Sequence, residues 1–228
     1  MDNSTMTQPN TLLLITDISG FTRFIASNDP DQGMAHARRM LDIILKSNNL
    51  GLELCEIEGD AVFFYMRNAM PKPDSLIRQI RRTFRVFQDY LLDNELQTEL
   101  GVKFYVHAGN CQMLNIGGRS KIFGIDVISI HRLLKGVSGE LNYLLITKRA
   151  ADVLGVDLKR SYEGSASYDH IGEIPYFLFT DEFLWVHPGE EPRPATLAER
   201  MSASMKRIAA SMATQTPNRA WIRTVMSV

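Results

Sequence analysis

The sequence has only two cysteines among its 228 residues, which excludes a disulfide framework or a cluster of thiolate ligands. Cys55 and Cys111 both fall in segments with strand character and read as buried free thiols in a reducing, cytoplasmic compartment. The five histidines are scattered, so a zinc centre is not expected. No apolar run reaches the ~18 residues of a membrane-crossing helix. The first ten residues, MDNSTMTQPN, lack the apolar stretch of a secretory signal. Charge of either sign is not in excess: 25 Lys and Arg against 26 Asp and Glu leave a net of -1, with no basic surplus to draw nucleic acid or an anionic membrane. A phosphate-cradling P-loop and a G-x-S-x-G nucleophile turn are both missing.

What remains is an ordinary globular composition, 45% hydrophobic and 22% charged, long enough to bury a full core. Residues 1–10 read as a disordered lead, 11–187 as the main domain, 188–195 as a proline-rich linker and 196–228 as a helical tail. Within the domain, TLLLIT at 11–16 is a continuous apolar run of the kind found in strands covered on both faces. A helix is expected over 32–49, and a hairpin over 52–66 turning at Gly59-Asp60. Ile77, Ile80, Phe84, Phe87 and Leu91 form one stripe of a long helix, with Arg78, Arg81, Arg82 and Arg85 mostly on its solvated faces. Val102, Phe104 and Val106 alternate with Lys103, Tyr105 and His107 along a strand, and a second hairpin is expected through 110–116, closed by Gly117-Gly118. A helix at 124–135, a strand at 143–146, a short helix at 148–154 and a last strand pair at 160–169 and 174–180 complete the series. Hairpins stand where crossovers would be needed for a doubly wound sheet. The order therefore predicts a sheet with helices packed on it, an α/β or α+β sandwich, and the fold class expected is α+β with a mainly antiparallel sheet. His107 reads as a satisfied core group, His36 as a surface residue, and His131 as lying on a different helix face from Arg132.

Two carboxylates stand out. Asp17 follows the first apolar strand, and beyond it the backbone of Ser19, Gly20, Phe21 and Thr22 enters a helix, where amides favour anions. Asp60 follows Gly59 at a hairpin tip. Taken singly, Asp17 is a helix cap and Asp60 a turn residue. Taken together on adjacent strand ends, they are hard oxygen ligands for Mg²⁺ or Mn²⁺ in front of a phosphate.

These residues carry a resemblance. ITDISGFT at 15–22, EIEGD at 56–60, VHAG at 106–109 and FG at 123–124 with the helix through Arg132 resemble, in order and spacing, the motifs of class III adenylate and guanylate cyclase domains. The resemblance covers residues 12 to about 180 and implies a ferredoxin-like, palm-type fold. It also implies two Mg²⁺ or Mn²⁺ ions on Asp17, the Ile18 carbonyl and Asp60, with phosphate oxygens on the 19–22 backbone. Arg132 would stabilise transition-state charge, and Glu56 and Lys121 stand at the base-reading positions. The substrate would be a nucleoside triphosphate, and the site would form between two subunits of a homodimer. Three positions depart from the pattern. Ile128 stands where an asparagine orients the ribose, and Ile171 where a lysine binds the triphosphate, with His170 the nearest substitute. Lys121 stands where Asp, Cys or Thr is usual. The resemblance thus implies a cyclase, or alternatively a nucleotide-binding module that has lost turnover and regulates a partner.

Overall fold

The computed structural model describes residues 9–137 and 140–185. The linker and the helical tail expected beyond 187, and nearly all of the expected lead, lie outside these residues. The main sheet has seven strands in the order β2-β3-β1-β4-β7-β9-β8. They are β1 (Thr11–Ser19), β2 (Glu53–Glu58), β3 (Ala61–Arg67), β4 (Gly101–Gly109), β7 (Tyr143–Thr147), β8 (Tyr162–Tyr168) and β9 (Gly172–Thr180). β4 and β7 pair in parallel and the other neighbours are antiparallel. The helices are α1 (Phe21–Ser27), α2 (Pro30–Lys46), α3 (Pro73–Asp93), α4 (Ile125–Gly136), α5 (Lys148–Leu154) and α6 (Asp181–Leu184). A separate hairpin joins β5 (Gln112–Ile116) to β6 (Arg119–Phe123). This is the α+β architecture the sequence predicts.

The apolar run of β1 is explained by its place between β3 and β4, with both faces covered. Leu12, Leu14 and Ile18 point into a core with Met40 and Ile44 of α2 and Ile80, Phe84, Phe87 and Leu91 of α3. Each of those fully buried α3 side chains contributes about 1.5–3 kcal/mol of apolar transfer. Leu13 and Ile15 point to the other face, with Phe63, Tyr65 and Tyr105, under Ile130 and Leu133 of α4 and Ile122 of β6. Asp17, two residues beyond Ile15, follows the same alternation and faces the α4 side.

Two expectations are corrected. The second hairpin, β5–β6, is closed at Gly117-Gly118 as the sequence predicts, but Cys111 lies in the connection before it rather than in a strand. The amides there are taken by side chains instead of a ladder: Asn110 N–H donates to Asp126 Oδ2 at 2.8 Å and Cys111 N–H to Asn10 Oδ1 at 3.1 Å. His36 is half-buried rather than on the surface, 2.6 Å from the Tyr90 hydroxyl and edge-on to Phe24.

Candidate active site

Asp17 and Asp60 are brought together by the β1–β3 pairing. Asp17 stands opposite Ala61, the first residue of β3, and Asp60 immediately precedes it. Gly59, at φ 64°, makes the two-residue turn from Glu58 to Ala61. The Ile18 N–H donates to the Asp60 carbonyl at 3.3 Å, which locks the turn beside the end of β1. Asp17 caps no helix: the N-cap of α1 is Gly20 and no side chain caps it. Burial, reinforced by the Asp60 carboxylate, pushes the Asp17 carboxyl up to about 6. Burial also raises the carboxyl of Asp60. Two desolvated carboxylates side by side are costly to ionise without a cation nearby. Among the described residues no three His, Cys, Asp or Glu side chains are grouped to hold a metal. A carboxylate pair that leaves other coordination positions to ligand oxygens fits Mg²⁺ or Mn²⁺ better than a closed structural site.

Lys103 lies directly across β4 from Asp17, and its charge lowers both carboxyls against the effect of burial. Its ammonium rests 5.3 Å from the Tyr143 ring centre. The alternation of 102–107 put Lys103 on a polar face but gave it no partner. Only the sheet register supplies one.

The 19–22 segment divides differently from its sequence reading. Ser19 belongs to β1, opposite Gly101, and α1 begins at Phe21. Gly20 is required here: its φ is 80°, and a Cβ would sit 2.0 Å from the Glu99 carbonyl oxygen. Thr22 is exposed, whereas the Ser19 hydroxyl is buried without a hydrogen-bond partner.

Glu56 and Lys121 meet. A bulge between Leu54 and Glu56 turns β2, and the Lys121 ammonium bonds the Glu56 carboxylate across to β6. That bond, with a further one from Glu58, holds the Glu56 carboxyl below its ordinary range.

This architecture returns cyclase catalytic domains among solved structures. The adenylyl cyclase CyaB of P. aeruginosa superposes with a TM-score of 0.60 at 14% identity, over 75% of this chain and 93% of that one. The guanylyl cyclase Cya2 gives 0.54 at 15% identity, over 82% and 96%. The catalytic core of a rhodopsin-guanylyl cyclase with converted specificity, solved with ATPαS, gives 0.58 at 11% identity, over 76% and 96%. The fold is that of class III adenylyl and guanylyl cyclase catalytic domains. In sequence, residues 37–143 match a family described as a protein of unknown function, DUF2652. An uncharacterised Mycobacterium tuberculosis protein is 27% identical over 120 residues, which span 48% of this chain and 57% of that relative's length.

On this cyclase fold, α4 carries the remaining positions. Arg132 is exposed, and its carbonyl accepts from the Tyr168 hydroxyl at 2.8 Å. Among the described residues no ion pair joins it to Asp17 or Asp60 of the same chain. Ile128, one turn earlier, is exposed, and Ile171 is partly buried against the α4-side core, which explains an apolar residue at that position. His107 is the satisfied core group the sequence predicts, 2.9 Å from both Thr147 Oγ1 and Asp126 Oδ1. Asp126 also takes Arg149 at 3.2 Å and the Asn110 N–H. This buried network pins the start of α4 to the end of β4, and Gly109 leaves the space that Asp126 fills. Sequence reasoning missed Asp126 because its partners come from two other segments, the end of β4 and the start of α5. No helix of the described residues is long and apolar enough to cross a membrane.

Proposed function

We propose that the chain is a metal-dependent nucleotidyl cyclase. The 3′-hydroxyl oxygen of a nucleoside triphosphate attacks its own α-phosphorus. The bond to the β-phosphate oxygen breaks, pyrophosphate leaves with the bonding pair, and the hydroxyl proton is released to solvent. The observation that carries this reading is the desolvated Asp17–Asp60 pair at adjacent strand ends, with Lys103 facing it. Asp17, the Ile18 carbonyl and Asp60 would hold two Mg²⁺ or Mn²⁺ ions, which supply charge for the attacking and leaving oxygens when bound. Lys103 adds a cation on the same face, and the 19–22 backbone takes phosphate oxygens. Glu56 and Lys121 read the base.

The working unit is a homodimer in which the partner's Arg132 meets these phosphates. Its support is the run of exposed apolar side chains Leu114, Ile116, Phe123, Ile125 and Ile128 on β5, β6 and α4. Exposed apolar side chains gathered on neighbouring elements are commonly covered by a second protein. Arginine suits the transition-state position because its charge is fixed and its fork matches phosphate oxygens.

A second reading, a nucleotide-binding module without turnover, is favoured by Ile128 and by the packed Ile171, neither of which can hydrogen-bond a ligand. The deciding experiment incubates the protein with Mn²⁺ and each of ATP, GTP, CTP and UTP, with mass spectrometry of the products. A cyclic monophosphate made by the wild type and absent with Asp17→Ala establishes the cyclase. Metal-dependent triphosphate binding without product, at dimer-forming concentrations, establishes the module instead.

A further inference from the structure

Helix α3 carries an outward stripe that the candidate site does not use. Ile80, Phe84, Phe87 and Leu91 bury one side of the helix in the core. On the side turned away from them, Arg78, Arg82, Val86, Asp89 and Asp93 follow one another at three or four residues, and all are exposed. Leu92, at the margin of this stripe, is exposed as well. The charges of the stripe are sorted, arginines before Val86 and aspartates after it. That order does not serve the helix itself. Asp93 stands in the last turn, where the carbonyl end of the macrodipole disfavours an anion, and no basic residue accompanies it there. Among the described residues none of these four charged side chains is in an ion pair, and the Arg78 guanidinium reaches Ser75 Oγ at 3.4 Å.

The order is self-complementary. Arg82 and Asp89 lie equally far along the helix from the point between residues 85 and 86, and so do Arg78 and Asp93. A second α3 laid antiparallel about a two-fold axis at that point sets each Arg82 against the other copy's Asp89, and each Arg78 against its Asp93. Each pair then occurs twice, the two macrodipoles run in opposite directions, and Val86 lies beside the axis. Asp74, in the first turn, falls outside the paired stretch. We propose that the outer face of α3 is an isologous contact with a second copy of this chain. α3 packs on the face of the sheet opposite to α4. The contact is therefore separate from the dimer described under the proposed function, stands independently of the nucleotide reading, and joins such dimers into larger assemblies. Two helices about 30 Å long bury less than a standard interface, and exposed ion pairs are individually weak. The association is accordingly weak and sensitive to salt.

The test is sedimentation of the full chain over a wide range of protein concentration, at low and at high salt. The expected result is an association step that high salt reverses. Arg82→Asp alone, or Asp89→Arg alone, turns two attractive pairs into two repulsive ones and is expected to weaken that step by about tenfold or more. The double variant, Arg82→Asp with Asp89→Arg, restores opposite charges across the axis and is expected to recover the wild-type constant. Recovery is particular to a two-fold pairing of these positions, because a partner of any other sequence would not change its own charges along with them. Both positions are exposed, so the variants are expected to fold. A chain that stays monomeric, or a double variant that does not recover, overturns the contact. A dimer indifferent to either single reversal overturns it too and leaves the α4-side dimer standing.

Discussion

Replacing Asp17 with asparagine is expected to stabilise the metal-free protein at neutral pH. The Asp17 carboxyl titrates near 3.8 in the unfolded chain and at about 6 in the fold, because burial and the Asp60 carboxylate disfavour its charge. Below the unfolded value both states hold the proton and the group costs nothing. As pH rises the unfolded chain loses the proton first, so stability declines until the folded group has ionised as well. At about 1.4 kcal/mol per unit the loss amounts to ~3 kcal/mol by pH 7. Asparagine keeps the shape and never ionises. For a chain of this size the gain corresponds to a melting point higher by ~5–10 °C. The assay is thermal unfolding of both proteins in EDTA at several pH values from 4.5 to 7.5. The difference between them isolates Asp17, since all other groups are common to both. It should be small at pH 4.5 and widen towards pH 7, and Mn²⁺ should narrow it by stabilising the wild type alone. An asparagine variant less stable than wild type at pH 7 in EDTA, or a difference that does not grow with pH, would refute the reasoning that these carboxylates form a strained acceptor for cations.

Lys103→Met removes the cation that opposes burial at Asp17 and Asp60, so both carboxyls should titrate higher in metal-free protein. Carbon-detected NMR of the side chains reads this, and unchanged Asp17 titration would remove Lys103 from the site. Asp126→Ala removes the carboxylate that the buried His107 nitrogen and the Asn110 N–H bond. It should lower stability by ~3 kcal/mol or more, seen as a reduced urea midpoint at unchanged slope. A loss below about 1 kcal/mol would mean that water replaces the carboxylate.

Much of the fold was legible because its signals are local. The run at 11–16 is typical of a strand covered on both sides, and the Ile77–Leu91 stripe of a helix packed on one, which is how both are buried. The Asp17 and Asp60 motifs were legible for the same reason, since each combines a carboxylate with a glycine turn in a few consecutive residues. Cys111 was expected in a strand because the side chains that take the 110–111 amides, those of Asn10 and Asp126, come from other elements and leave no local pattern. Periodicity reports which face a residue occupies, and it is silent on what that face meets.

The sequence by itself determined the α+β class, the strand and helix series, and the two carboxylates with their flanking turns, because these follow from hydrophobic period and backbone conformation over short stretches. Tertiary structure alone decided the strand order and the parallel pairing of β4 with β7. It alone set Lys103 opposite Asp17, closed Glu56 on Lys121, faced His131 with Glu58 and buried Asp126 under His107. Each of those contacts joins residues of different elements, and only the register of paired strands and the seating of α4 bring them within reach.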